Sequence, residues 1–119
     1  MNGQAILVVE DEFIVAADLK ARLIRFGYRA TDGCPSGARA LELSELLRPD
    51  LVLMDIHLAG EMDGIAAAQE IRRRLGIPVV FLTAYSEDAT LDRAKQAEPS
   101  GYILKPFDDR ELKVVVDMA

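Results

Sequence analysis

Glu10-Asp11-Glu12, Asp55, Thr83-Ala84 and Lys105-Pro106 each close a short apolar run, at residues 6–9, 51–54, 79–82 and 102–104. Carboxylates brought together from neighbouring strands repel unless a hard cation joins them, and Mg²⁺ prefers oxygen ligands while keeping several waters. Glu10, Asp11 and Asp55 are therefore a candidate divalent-metal site, with Mg²⁺ the expected ion and Mn²⁺ able to substitute. A metal held by Asp11 and Asp55 leaves positions free for a phosphoryl oxygen. Lys105 and Thr83 would supply a positive charge and a hydrogen bond to the other oxygens. Asp55 is the best candidate nucleophile, since it follows the most apolar central run and a carboxylate attacking a phosphoryl group yields an aspartyl phosphate. Each residue alone reads as an ordinary strand-end group, and the conjunction carries the chemistry.

The elements that must position these groups are legible in the same pattern. Runs of four or so apolar residues bounded by charges, Gly or Pro read as buried parallel strands, and residues 28–31 alternate as a weaker strand. Between them lie helical stretches. In the first, residues 13–26, Val15, Leu19, Leu23 and Phe26 form one apolar stripe, and Gly27 is placed to close it in the left-handed conformation. Ser36, Asp63, Ser86 and Asp108 can cap four more helices, the first three running to Leu47, Leu75 and Ala97. Glu111, three residues after Asp108, adds a capping-box pattern. Five strands alternating with five helices mean an α/β doubly wound parallel sheet, and the weak second and short fifth strands suit the edges of a 2-1-3-4-5 order. Ligands of such sheets gather beyond the carboxyl ends of the strands, where these acid, hydroxyl and amine groups stand.

The chain has 119 residues, half of them hydrophobic and 29% charged, which is the composition of one globular domain, residues 1–119. The absence of a Gly or Pro stop before Ala119 is compatible with a domain cut from a longer protein. No apolar run approaches the ~20 residues that span a bilayer, and no secretory signal opens the chain, so no membrane partner and a cytoplasmic location are expected. The lone Cys34 reads as a small apolar filler. Twenty acidic against fourteen basic residues, net charge −6, argue against direct nucleic-acid binding. Arg72-Arg73-Arg74 reads as complementing the negative end of the third helix.

At Ile6-Leu7-Val8-Val9-Glu10-Asp11-Glu12, Leu53-Met54-Asp55, Phe81-Leu82-Thr83-Ala84 and Lys105-Pro106-Phe107 the sequence resembles the receiver domains of two-component response regulators, over almost its whole length. The resemblance implies a flavodoxin-like fold. It implies a phosphoacceptor Asp55 charged by the phosphohistidine of a sensor histidine kinase or phosphotransfer protein. Mg²⁺ would be arranged by Glu10, Asp11, Asp55 and the backbone carbonyl of His57, with Thr83 and Lys105 on the phosphoryl group. It also implies a cis peptide before Pro106, and Thr83 with Tyr102 as the switch pair. The readout face would be helix 4, strand 5 and helix 5, including Glu87, Asp92, Arg93, Lys95, Asp109 and Arg110, suited to a downstream effector, an output domain or a homodimer. His57 and Tyr85, two residues after Asp55 and Thr83, occupy positions that line the approach of hydrolytic water in this family, so the lifetime of the phosphorylated state stays open. The His57 ring is open to metal ligation or general-base work as well as to simple solvation.

Other readings fit less well. A phosphatase of the haloacid-dehalogenase type wants a second acid where Asp55-Ile56-His57 has none, so only self-phosphorylation and self-dephosphorylation are expected, and no enzyme turnover. A flavin or nucleotide binder needs a Gly- or Ser-rich loop where Glu10-Asp11-Glu12 would repel phosphate. A receiver used without phosphorylation would not need the complete acid, Thr and Lys set.

Overall fold

The structure is a computed structural model that describes residues 4–56, 58, 62–83 and 88–119, with the backbone alone for 88–91. Strands and helices alternate along the chain: β1 (Ala5–Val9), α1 (Phe13–Arg25), β2 (Arg29–Ala30), α2 (Gly37–Leu47), β3 (Leu51–Asp55), α3 (Gly64–Leu75), β4 (Val79–Thr83), α4 (Asp88–Gln96), β5 (Gly101–Leu104) and α5 (Asp109–Met118). The sheet order is β2-β1-β3-β4-β5, every neighbouring pair parallel.

β3 and β4 are buried at every residue, which is why their sequences are apolar up to the closing Asp55 and Thr83. Successive side chains point to opposite faces. Ile6, Val8, Leu53, Leu82 and Ile103 pack against Leu19 and Leu23 of α1 and Leu112 and Val116 of α5. Leu7, Val9, Val52, Met54 and Phe81 meet Ala40 of α2, Ile65 and Ile71 of α3 and Ala94 of α4 on the other side. Two helices thus cover one face and three the other.

Local chemistry sets the helix starts. Ser36 Oγ accepts from Arg39 N at 3.2 Å, Asp63 Oδ1 from Ala66 N at 2.9 Å and Asp108 Oδ1 from Glu111 N at 2.7 Å. The expected cap Ser86 lies outside the described residues. The Glu111 carboxylate accepts from Leu104 N at 3.3 Å, so it steadies the end of β5 where a capping box would turn it back on Asp108. Gly27 takes a φ of 99° just after α1, as expected from its position. β2 is shorter than residues 28–31 because Tyr28 N is already bonded to Leu23 O at 3.0 Å in closing α1.

One expectation about surface charges changes. Asp109 pairs with Arg22 at 3.1 Å and Arg25 at 3.2 Å, so it faces α1 and not a face shared with α4. Arg93 of α4 reaches across to Asp63 at 3.0 Å. The basic end of α3 is engaged by acids: Arg73 and Arg74 pair with Glu70, and Arg72 with Glu98. Among the described residues, no helix is long and apolar enough to cross a membrane.

Tyr28 donates its hydroxyl to Asp117, tying the start of β2 to the end of α5, and Lys113 Nζ holds the other Asp117 oxygen at 2.6 Å. Burial, then the hydrogen bond to Asp117 and that group's charge, push the Tyr28 phenol up to about 12. The folded state therefore keeps this proton to higher pH than the unfolded chain, whose tyrosines ionise near ~10. Its contribution is fully present below pH ~10 and lost as pH rises towards 12. In urea unfolding followed by circular dichroism, the wild type should lose stability between those values more steeply than Tyr28→Phe; equal slopes would show that the phenol carries no such linkage.

Candidate metal and phosphoryl site

Each strand tip delivers its group by a local device. Beyond β1, Glu10 N donates to Cys34 O and Cys34 N to Val8 O, both at 3.0 Å, which extends the parallel pairing by one bridge and draws Glu10 inward. Its side chain ends up buried, with the residue 2% exposed. Cys34 is buried beside it, with its thiol on Ser36 O at 3.6 Å. Burial, the largest influence, raises the thiol pKa, consistent with a filler and not a nucleophile. Asp55 is the last residue of β3, opposite Leu82, and is 5% exposed. Thr83 ends β4, is buried, and accepts from Lys105 N at 2.8 Å through its carbonyl. Lys105 follows β5 directly and precedes a cis peptide bond to Pro106.

These devices bring the acids together. One carboxylate oxygen each from Glu10, Asp11 and Asp55 lies within 4.8 Å of the others. Lys105 Nζ stands 2.6 Å from Glu10 Oε1 and 3.3 Å from Asp55 Oδ2. The second Glu10 oxygen accepts from Glu12 N at 3.3 Å. Glu10 is thus bonded on both sides, to the Lys105 ammonium and to the Glu12 backbone N–H.

Two like charges at about 5 Å repel by roughly 3 kcal/mol at an effective dielectric of 20, so one ammonium cannot by itself compensate three clustered carboxylates. Burial pulls the Lys105 pKa down, but the Glu10 hydrogen bond and the charges of Asp55 and Glu10 outweigh it and hold the ammonium above the usual lysine value. It is charged at neutral pH. The donors are all hard oxygens, and Asp11 is exposed, leaving a solvent side for retained waters. That combination fits Mg²⁺.

The structure therefore gathers Glu10, Asp11, Asp55 and Lys105, and sets Thr83 on the same rim next to the Lys105 backbone. His57, Ala84, Tyr85 and Glu87 lie outside the described residues. Tyr102 sits on β5 with its ring 6.1 Å from that of Phe81, tilted by 38°. Its hydroxyl is buried and has no hydrogen-bond partner among the described residues, and burial raises its phenol pKa.

The packing role of Gly64 was not read from the sequence. This glycine opens α3 directly over the end of β3, and a Cβ there would stand 2.0 Å from the Asp55 carbonyl oxygen and 3.0 Å from Ile56 Cα. Its only trace in the sequence is a glycine directly after the capping Asp63.

An open parallel sheet of this order, with clustered acids and a lysine at the carboxyl ends of its strands, defines a doubly wound α/β protein whose acidic rim fits a divalent cation. The sequence matches the family described as the response regulator receiver domain over residues 6–117. It is 38% identical over 114 residues to the transcriptional regulatory protein PdtaR of Mycobacterium tuberculosis, a match covering 96% of this chain and 55% of the relative. It is also similar to the signal receiver domain of a modulated diguanylate cyclase from Desulfovibrio desulfuricans G20, with a TM-score of 0.93, 33% identity and coverage of 99% and 94% of the two chains. A third similar protein is the receiver domain of the sensor histidine kinase PA1611 from Pseudomonas aeruginosa PAO1, which has a magnesium ion coordinated in its active site cleft (TM-score 0.87, 34% identity, 97% and 95% covered). The chain belongs to the response regulator receiver domain family. It spans about half the length of the curated relatives it matches, 55% and 46% in two cases.

Replacing Gly64 by Ala should destabilise the fold by about 3 kcal/mol, the upper end for overpacking, because the obstructing atoms are backbone and cannot turn aside. Chemical denaturation checks this, and a loss below about 0.5 kcal/mol would show that α3 does not press on the end of β3.

Proposed function

We propose that this domain is a phosphoacceptor switch in which Asp55 receives a phosphoryl group from the phosphohistidine of a sensor histidine kinase or phosphotransfer protein. The observation that carries the reading is Lys105 Nζ lying between Glu10 and Asp55 inside a cluster of three carboxylates. An Asp55 carboxylate oxygen forms the new O–P bond, the P–N bond of the donor breaks, and its electron pair stays on the departing imidazole, which can then take a proton. Asp11 and Asp55, with Glu10 and the expected His57 carbonyl, would hold Mg²⁺, which when bound would supply positive charge against the phosphoryl oxygens.

The chain's own groups do the rest. Lys105 is placed to exchange its Asp55 contact for a phosphoryl oxygen, and Thr83 to offer its hydroxyl to another. Phosphorylation replaces one negative charge by roughly two and adds strong acceptors. Thr83 moves toward them, and Tyr102 follows inward. The buried Tyr102 hydroxyl supports this: it has no partner among the described residues, and a buried hydroxyl gains about 1 to 3 kcal/mol from a rearrangement that gives it one. The change is read on α4, β5 and α5 by an output domain, a downstream effector or a second copy of the domain. The name of the PdtaR relative, a transcriptional regulatory protein, supports an output domain of that kind.

The domain acts on itself alone, without turnover of other substrates. It works in the cytoplasm, without membrane or direct nucleic-acid contact. Phe13 and Ile14, 84% and 81% exposed at the start of α1 near the acidic rim, are an apolar surface that a protein phosphodonor would cover.

Incubation with acetyl phosphate and Mg²⁺, followed by intact-mass measurement, should add one phosphoryl group per chain. EDTA should abolish the addition, as should Asp55→Asn. Labelling that persists in Asp55→Asn, or that ignores Mg²⁺, would overturn the assignment.

A further inference from the structure

Arg22, in the third turn of α1, makes contacts that the sequence does not announce. Its side chain is only 24% exposed. Nε lies 3.2 Å from Asp18 Oδ1 one turn back, and Nη1 lies 3.1 Å from Asp109 Oδ1 at the start of α5. Nη1 also donates to Phe107 O at 3.4 Å, and the guanidinium carbon stands 5.0 Å from the centre of the Phe107 ring. One planar fork thus grips its own helix, the backbone two residues after Lys105, and the helix that follows.

The segment it grips is the one that aims Lys105. On the β5 side Lys105 is anchored by its backbone N–H on Thr83 O at 2.8 Å. On the α5 side the chain is fixed at Asp108, which caps that helix. Between these anchors an open groove of about 640 Å³ separates Ile14, Val15 and Asp18 of α1 from residues 105–107. Phe107 packs against the core that α1 and α5 share, Lys105 and Pro106 line the groove beside it, and the Arg22 contacts add polar bonds at residues 107 and 109. The ammonium they steady must be within hydrogen-bond reach of two carboxylates at once.

We propose that Arg22 is a positioning residue for phosphoryl transfer, holding residues 105–107 so that the Lys105 ammonium stays between Glu10 and Asp55. The proposal rests on the phosphoacceptor reading. The contacts of Arg22 are with Asp18, Asp109 and Phe107 and not with Glu10 or Asp55, so its loss should slow the transfer step without weakening the metal site. A fork that bonds a carboxylate and a carbonyl together while stacking on a ring is not reproduced by a single ammonium.

The test compares the wild type, Arg22→Met and Arg22→Lys, all well below their melting temperatures. Mg²⁺ affinity and the rate of Asp55 phosphorylation at saturating acetyl phosphate are measured side by side. Arg22→Met should phosphorylate about tenfold more slowly, the scale expected when a charged group is displaced by a fraction of an ångström to an ångström, with Mg²⁺ affinity within about twofold of the wild type. Arg22→Lys should fall between the two. If Arg22→Met does not fold, Arg22→Lys carries the comparison, with a rate loss of about threefold at unchanged Mg²⁺ affinity as the expected result. An unchanged rate overturns the proposal, and so does a parallel loss of rate and Mg²⁺ affinity, which would mark Arg22 as general support for the fold. Failure of the wild type to take up phosphate is a different result, overturning the phosphoacceptor reading and this role with it.

Discussion

The carboxylates of Glu10 and Asp55 are held out of water at the tips of adjacent strands, and much of the rest of the structure follows from making that tolerable. A buried charge persists only when it is paired and hydrogen-bonded. Lys105 supplies the pairing at 2.6 and 3.3 Å, and the Glu12 N–H supplies another bond. Asp11 remains at the solvent edge, so the cluster keeps an excess of negative charge that one lysine does not cancel. The clustered hard oxygens thereby fit a divalent cation, and under the proposed function an arriving phosphoryl group would find Lys105 already charged and in place.

The sheet makes this arrangement possible without separate support for each group. Parallel strands all direct their carboxyl ends to one rim, and the 2-1-3-4-5 order sets β3, which carries Asp55, between β1 and β4. Helices on both faces bury β3 and β4 at every residue, and the candidate site groups stand at the strand ends and in the connections just beyond them. Two close approaches tune the rim: α3 begins against the Asp55 carbonyl at Gly64, and Arg22 of α1 reaches over to Phe107 and Asp109 of the β5–α5 connection.

Much of the fold was legible because its signals are local. The central strands read clearly since burial on both faces leaves continuous apolar runs. Ser36, Asp63 and Asp108 read as caps because a short side-chain oxygen bonds an amide only three residues away. The resemblance to receivers then assigned parts to strand-end residues that, taken singly, looked like ordinary surface groups. What did not read was set by contacts across the chain. Lys105 and Glu10 meet over 95 positions and Arg22 and Phe107 over 85, so their geometry depends on how the crossovers pack and leaves no local pattern. Asp109 was assigned to the wrong side for the same reason: its direction is set by Arg22 and Arg25, not by its own helix. The two-residue β2 likewise depends on how α1 closes at Tyr28.

The claim at the centre is that three carboxylates share one cation under the influence of one ammonium, and isothermal titration with Mg²⁺ tests it most directly. One saturable site is expected for the wild type, weakened at least tenfold by Asp11→Asn or Asp55→Asn. Lys105→Met should bind Mg²⁺ more tightly than the wild type, by about three- to tenfold, because it removes a competing positive charge. Mg²⁺ binding that is unaffected by all three substitutions would place the cation elsewhere and contradict the account.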